Sequence, residues 1–413
     1  MIKHWFKTSL ALTIAAVSAQ ANANGLAINE QSASSMGTAF AGRSSSAMDA
    51  STVFGNPAGM SKLQRPEVSG GLAVIDASTD IRNPEGVAPG TNRGDMVPFA
   101  AIPFAYWVTP INERWHAGLG VYVPFGVISD YERSFQGRYH GLESEVRVIT
   151  VQPTISYRVN DRVSLGFGPT INRIDGTLTR AAPMPVGGDA NIDIRGDDIG
   201  YGFNAGIMVD LTDQVTWGLT YFSKVDYTLE GRTRLSGFTP LPGLDGRYSG
   251  TLDFTSPESV DVSLTYKMDN PWTLYAGAVW TRWSRLQEIV VDNRGLAAPY
   301  EAQFGTLREE QNWSDDWAFA FGAAYQLTPE IALRTGLAFD RSPTTDADRT
   351  VRIPVGNRKI WTAGLGWNIS DDLTLDVAYA YLREDTAEVT EPDYRAEYRN
   401  SAHGLATQVT WRY

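Results

Sequence analysis

Few side chains in this sequence could run acid–base or nucleophilic chemistry. There are four histidines and no cysteine. Past the first residues, His116, His140 and His403 remain. His140 has two acids close by in sequence, Glu143 and Glu145, so an acid–histidine pair for hydrolysis is one reading. A solvated loop histidine is the other. No Gly-x-Ser-x-Gly elbow offers a serine nucleophile, and no set of residues has metal-ligand spacing. A second group stands out on backbone chemistry: prolines sit inside alternating apolar runs, and proline donates no ladder hydrogen bond. Pro98 and Pro124 lie almost symmetrically about Ile111, and Pro153 and Pro169 about Asp161. Each pair is expected to meet across a hairpin and to remove ladder bonds there, either as tolerated bulges or as a break with a purpose.

The elements that would carry these residues are strands. Lys3 and Lys7, the apolar Leu10 to Val17 and the small residues Ala21-Asn22-Ala23 read as a secretory leader over residues 1–23, with a mature start at Asn24. Removing the two lysines takes the formal charge from −12 to −14. No later stretch has the roughly 18 consecutive apolar residues of a membrane helix. An acidic chain without basic patches is a poor partner for nucleic acid. The absence of cysteine argues for one large cooperative structure rather than stapled small domains. Twelve tryptophans, 18 tyrosines and 39 glycines accompany a mean hydropathy of only −0.23. That combination suits a membrane β-barrel, in which alternate residues face lipid.

From Pro66 onward the period is two. Leu373, Leu375, Val377, Tyr379 and Tyr381 alternate with Thr374, Asp376, Ala378 and Ala380, and Trp317, Phe319 and Phe321 with Ala318, Ala320 and Gly322. The bulky face suits lipid and the small, polar face a lumen. Turn signals recur at Thr109–Glu113, Val159–Asp161, Leu211–Asp213, Met268–Pro271, Leu327–Pro329 and Ile369–Asp372. Longer polar segments lie near residues 80–96, 128–144, 180–197, 230–248, 288–312, 341–357 and 384–401. Tight turns alternating with long loops predict an all-β, antiparallel barrel of about fourteen strands, an even number, with both termini on the short-turn, periplasmic side. The last run, Leu405 to Tyr413, ends on an aromatic, which suits closure of the barrel and recognition by the outer-membrane assembly machinery. Residues 24–65 are small, polar and glycine-rich, and are expected to form a plug in front of the barrel of residues 66–413.

Several ordered motifs carry a resemblance: Asn29-Glu30, Asn56-Pro57-Ala58, Pro124-Phe125-Gly126 followed by Gly137-Arg138-Tyr139, Trp280-Thr281-Arg282-Trp283-Ser284, and Phe339-Asp340-Arg341-Ser342-Pro343. At this spacing, over essentially the whole mature chain, the sequence resembles the FadL/TodX family of outer-membrane transporters for long-chain fatty acids and other hydrophobic compounds. The resemblance implies a fourteen-stranded barrel with an N-terminal hatch that meets the wall at Asn56, Pro57 and Ala58. It implies a kink of the third strand at Pro124, Phe125 and Gly126 that opens the wall sideways. It also places Arg180 at the family's carboxylate-binding arginine, whereas Ser314 replaces the family's second cation.

The expected function is passive transport of long-chain fatty acids or similar apolar molecules, captured at outer loops by Phe125, Ile128, Tyr131 and Phe135. Uptake of neutral or aromatic hydrocarbons is the near alternative, and an outer-membrane lipid hydrolase the alternative of another class. An open porin would need no plug, and the loops show no adhesin repeat. The expected partners are the apolar ligand, the bilayer and the barrel assembly machinery. The chain is expected to act as a monomer without a cofactor or metal.

Overall fold

The computed structural model describes residues 25–186, 188–239 and 241–413. The leader expected over residues 1–23 and the start at Asn24 lie outside them. Nineteen strand segments form one antiparallel sheet that closes on itself. The first, β1 (Glu67–Gly86), pairs with β2 (Ala100–Pro110) on one side and with β19 (Tyr394–Arg412) on the other. β3 (Trp115–Asp130), β4 (Glu143–Arg158), β5 (Val163–Ala182), β6 (Ala190–Asp210), β15 (Ile331–Asp340) and β16 (Arg358–Asn368) are unbroken. Five staves are each made of two segments. These are β7 (Val215–Phe222) with β8 (Val225–Ser236), β9 (Gly246–Ser256) with β10 (Ser259–Lys267), and β11 (Trp272–Thr281) with β12 (Glu288–Arg294). The others are β13 (Thr306–Glu310) with β14 (Asp316–Gln326), and β17 (Leu373–Glu384) with β18 (Ala387–Glu391). The result is a closed barrel of fourteen strands.

The period-two pattern fixes which face is which. Trp317, Phe319 and Phe321 point outward and stay exposed, while on β17 Thr374, Asp376 and Ala378 point into a filled lumen. The six tight turns fall where the turn residues stand. Asn112 accepts from the amides of Arg114 and Trp115, and Asn160 from those of Arg162 and Val163. The opposite end departs from expectation. The polar stretches near 230–248, 288–312 and 384–401 are mostly strand, since β8, β9, β12, β13, β18 and β19 run through them. Ladder pairing satisfies the backbone whatever the side chains, so these hairpins extend beyond any apolar band.

The prolines separate into two cases. Pro153 and Pro169 do face each other: the β4–β5 ladder stops at Val151–Ile171 and resumes at Ile155–Phe167. Pro98 and Pro124 do not meet. The β2–β3 register pairs Pro110 with His116 and Ala105 with Val121, where it ends, and Pro98 lies ahead of β2 altogether. That hairpin pivots near Glu113 rather than Ile111, which shifts every opposed position.

Candidate functional site

The segment ahead of β1 lies inside the barrel and is built almost entirely of short turns. Ser32 caps the four-residue helix Ala33–Met36 through the amide of Ser35, 3.3 Å away. Asn56 caps the 3₁₀ turn Pro57–Lys62, accepting from the amide of Ala58 at 3.0 Å. Small side chains are needed because the backbone runs directly on the wall. A Cβ on Gly218 of β7 would sit 1.8 Å from the Ser44 carbonyl oxygen, and one on Gly166 of β5 would sit 2.2 Å from the Ala58 nitrogen. Falling residue number follows rising strand number: Ala58 lies on β5, Asn56 on β6, Ser44 on β7, Ala41 on β11, Thr38 on β15 and Gly37 on β16. The segment is therefore a belt around the inner wall. A buried ion pair fastens it, Arg43 to Asp261 at 2.7 Å. Asn56, fully buried, donates to the carbonyls of Ser44 (2.6 Å) and of Ile207 in β6 (3.0 Å).

The belt begins at the irregular part of β3. Between Tyr122 and Phe125, two residues, Val123 and Pro124, stand against Ile149 of β4, which makes a bulge. On its other side β3 has already lost β2, because that ladder ends at Val121. The chain's own first described residues fill the vacancy. The Ile28 amide donates to the Pro124 carbonyl at 2.9 Å, the Gly126 amide to the Leu26 carbonyl at 2.9 Å, and Ala27 bridges Phe125. At the bulge, Gln31 substitutes for a strand: its side-chain oxygen accepts from the Val123 amide at 3.2 Å and its amide donates to the Val123 carbonyl at 2.5 Å. Gly25, at φ +67°, lies against Trp283 and Trp313, whose rings meet edge-on at 5.1 Å.

Two partly open cavities flank this contact, of about 80 and 60 Å³. The first is lined largely by apolar groups, among them Leu26, Ile174, Leu229, Leu252 and Phe254. The second is bounded by Glu30, Met96, Ile128, Ile360 and Leu382. Val127, Arg352 and Ile353 separate them and line both. Arg352 is 4% exposed and is held by Glu309 at 2.8 Å and by the Ser144 hydroxyl at 2.9 Å. Glu30 is half-buried, and one of its oxygens, itself buried, has no hydrogen-bond partner. Burial pushes its carboxyl above the usual range, against the opposing pull of nearby backbone amides, Arg358 and Arg43.

The predicted residues fall into distinct places. Asn56, Pro57 and Ala58 sit together on β5 and β6. Pro124, Phe125 and Gly126 form the β3 surface that the N-terminal residues cover. Phe125 packs edge-on to Trp283 at 6.4 Å, and Ile128 lines the second cavity. Tyr131 and Phe135, stacked at 4.0 Å, lie instead inside a packed cluster with Val351, Tyr394 and Tyr398. Arg180 is half-buried near the end of β5, on the same strand face as Ile174 and Leu178. Both of those line the first cavity, so Arg180 stands at its rim, within electrostatic reach of Arg352 and Glu309. Ser314 is exposed and tied to the Pro343 carbonyl. His140 does not use Glu143 or Glu145; it contacts Glu391 at 3.3 Å and Asp393, which cross-links two loops. Gln31, Trp283, Trp313 and Arg352 carry no local signal for the positions they take.

A model of the family described as outer membrane protein transport protein (OMPP1/FadL/TodX) matches residues 14–413. The long-chain fatty acid transport protein of Escherichia coli O6:H1 is 27% identical over 434 residues, which is 97% of this chain and 96% of that protein. Among solved structures, a Pseudomonas aeruginosa FadL homologue superposes with a TM-score of 0.83 at 24% identity, covering 94% of this chain and 99% of the other. The Ralstonia pickettii toluene transporter TbuX superposes at 0.70 with 18% identity, covering 93% and 99%.

Proposed function

The chain belongs to the OMPP1/FadL/TodX family of outer-membrane transport proteins, and from that membership we propose that it passes long-chain fatty acids or similar apolar molecules across the bacterial outer membrane. The observation that carries this reading is the pair of pockets beside the β3 bulge, where the chain's own residues Leu26–Gln31 cover the irregular part of the wall. Residues 24–65 act as the hatch. Ligand gathers at the long hairpins, enters the cavities, displaces Leu26–Gln31 and leaves through the wall between β2 and β3. Sideways exit is the favourable route for a hydrocarbon chain, since each CH₂ kept out of water is worth about 0.8 kcal/mol. The long-hairpin end faces outward, the termini face the periplasm, and a single chain encloses the whole path. The barrel assembly machinery inserts it.

We read the protein as a carrier rather than a hydrolase: His140 is committed to a loop contact with Glu391 and Asp393. Arg180 at the cavity rim supports a carboxylate head group, as a charge-assisted contact with an otherwise apolar ligand. The second reading, neutral hydrocarbons, is favoured by the nearly uniform apolar lining of the first cavity. Mass spectrometry of lipid co-purifying with the protein, paired with uptake of labelled oleate in cells lacking their own transporter, tests the choice. Oleate uptake supports the fatty-acid reading. Bound neutral hydrocarbon with no oleate uptake would overturn it.

A further inference from the structure

Outside the lumen, one face of the upper wall carries arginines in an arrangement that internal pairing does not explain. Arg195 of β6 stands directly opposite Arg232 of β8, and Arg234 of β8 directly opposite Arg247 of β9. Ser249 of β9 is opposite both Arg232 and Arg294 of β12, so one row runs Arg195, Arg232, Ser249, Arg294 across four adjacent strands. These side chains point outward, because their strand neighbours Leu229, Thr233 and Leu235 are buried on the inner face. Like charges directly opposed across a ladder destabilise it. Asp193 relieves this in part, pairing with Arg195 at 2.9 Å and standing opposite Arg234. The exposed side chains of Arg232, Arg234, Arg247 and Arg294 have no carboxylate partner among the described residues. Beneath the rows lies an open concavity of about 1000 Å³, bordered by Arg147, Arg195 and Arg232 together with Glu145, Asp175, Asp197 and Glu230. Within it the buried Nε of Arg147 has no hydrogen-bond partner.

Below the charged rows, past Asp197 and Asp175, the same wall turns apolar: Ile171, Ile199 and Tyr201 are exposed at 46%, 48% and 73%. Arg195 is four residues above Ile199 on β6, which at ~3.3 Å per residue along a tilted strand is on the order of 10 Å higher. Hydrocarbon below and unpaired guanidinium above match an anionic amphiphile. Guanidinium forks also suit phosphate, which they grip in bidentate fashion. We propose that this face, β6–β8–β9–β12, binds the phosphorylated headgroup of an outer-leaflet glycolipid, with the acyl chains lying against Ile171, Ile199 and Tyr201. The proposal rests on the reading above only in taking the long-hairpin end to face outward.

The test uses the full mature chain in detergent, titrated with diphosphoryl lipid A and followed by native mass spectrometry. The triple variant Arg232→Gln, Arg234→Gln, Arg247→Gln should bind at least tenfold more weakly. A control that removes three exposed arginines from the far wall, Arg82→Gln, Arg395→Gln, Arg399→Gln, should bind as the parent does. Heat-modifiable mobility on gels verifies folding of both. Equal binding by parent and triple variant, or equal loss in the control, would overturn the proposal. So would displacement of the lipid by millimolar inorganic phosphate alone, which marks a free-ion site, or by an acidic polypeptide, which marks a protein-docking surface. Oleate uptake by the triple variant reports separately on transport and should be retained.

Discussion

Replacing Asn56 with alanine tests whether the N-terminal belt is held to the wall as the geometry indicates. The side chain is fully buried and makes three hydrogen bonds, to the Ser44 carbonyl, the Ile207 carbonyl and the Ala58 amide. Its removal strands those three backbone groups where water does not reach. A buried polar group left unmade costs about 1–3 kcal/mol, so the three together cost the seated belt roughly 3–9 kcal/mol if no other partner moves in. At about 1.4 kcal/mol per tenfold, the population with the belt detached near residue 56 rises at least ~100-fold. The barrel ladder itself is untouched, so folding and insertion should proceed. The expected result in planar bilayers is frequent brief openings where the parent stays closed, with faster hydrogen exchange across residues 25–63. Asn56→Asp keeps the acceptor for Ala58 but loses both donated bonds and buries a charge, so it should open at least as often. If Asn56→Ala matches the parent in both conductance and exchange, the belt is held elsewhere and the reasoning fails.

Replacing Pro124 and Gly126 with valine gives β3 a donor at the bulge and bulk where Leu26 now pairs; labelled oleate uptake should fall at least tenfold while heat-modifiable barrel persists in the membrane. Arg180→Ala removes a charge-assisted contact worth about 1.5–3 kcal/mol, so oleate affinity measured by calorimetry should drop roughly 10- to 100-fold with toluene affinity unchanged. Equal loss for both ligands would mean that the arginine shapes the cavity instead. Burial raises the Glu30 carboxyl above the ordinary 4.5. Its contribution to seating the belt is thus complete below that value and declines as pH rises through the raised one. Glu30→Gln stays neutral throughout, so its melting temperature should exceed the parent's at pH 7 and converge on it near pH 4; parallel curves would refute this.

How much could be read from the sequence follows from the range of the interactions involved. Strand number and tight-turn positions are local properties. Alternation around Trp317 or Val377 and side-chain caps such as Asn112 and Asn160 state them within a few residues. The register of the first hairpin was less legible, because its pivot near Glu113 depends on which turn residues loop out, and a shift of two positions moved Pro98 away from Pro124. The site was least legible. Gln31 is 92 residues from Val123, and the acids on His140 lie some 250 residues away. Neither contact leaves a local pattern. The polar hairpins look like loops in the sequence because polarity reports on water, while ladder formation reports only on the neighbouring backbone.

The order in which the belt meets the wall has a consequence for assembly. Residues near position 58 rest on β5 and those near position 37 on β16, so the interior is a cast of the segment taken in reverse. Staves from both halves of the barrel must be present before the whole belt can seat, yet its C-terminal third needs only β2 to β7. Seating can then start at Asn56 while the barrel is open and advance toward the amino terminus as each later strand joins. The contact of Ile28 with Pro124 lies beyond the far end of that sequence. On the proposed exit route, the residues that set last are those that a ligand lifts first, so a departing ligand would undo only the final step of folding.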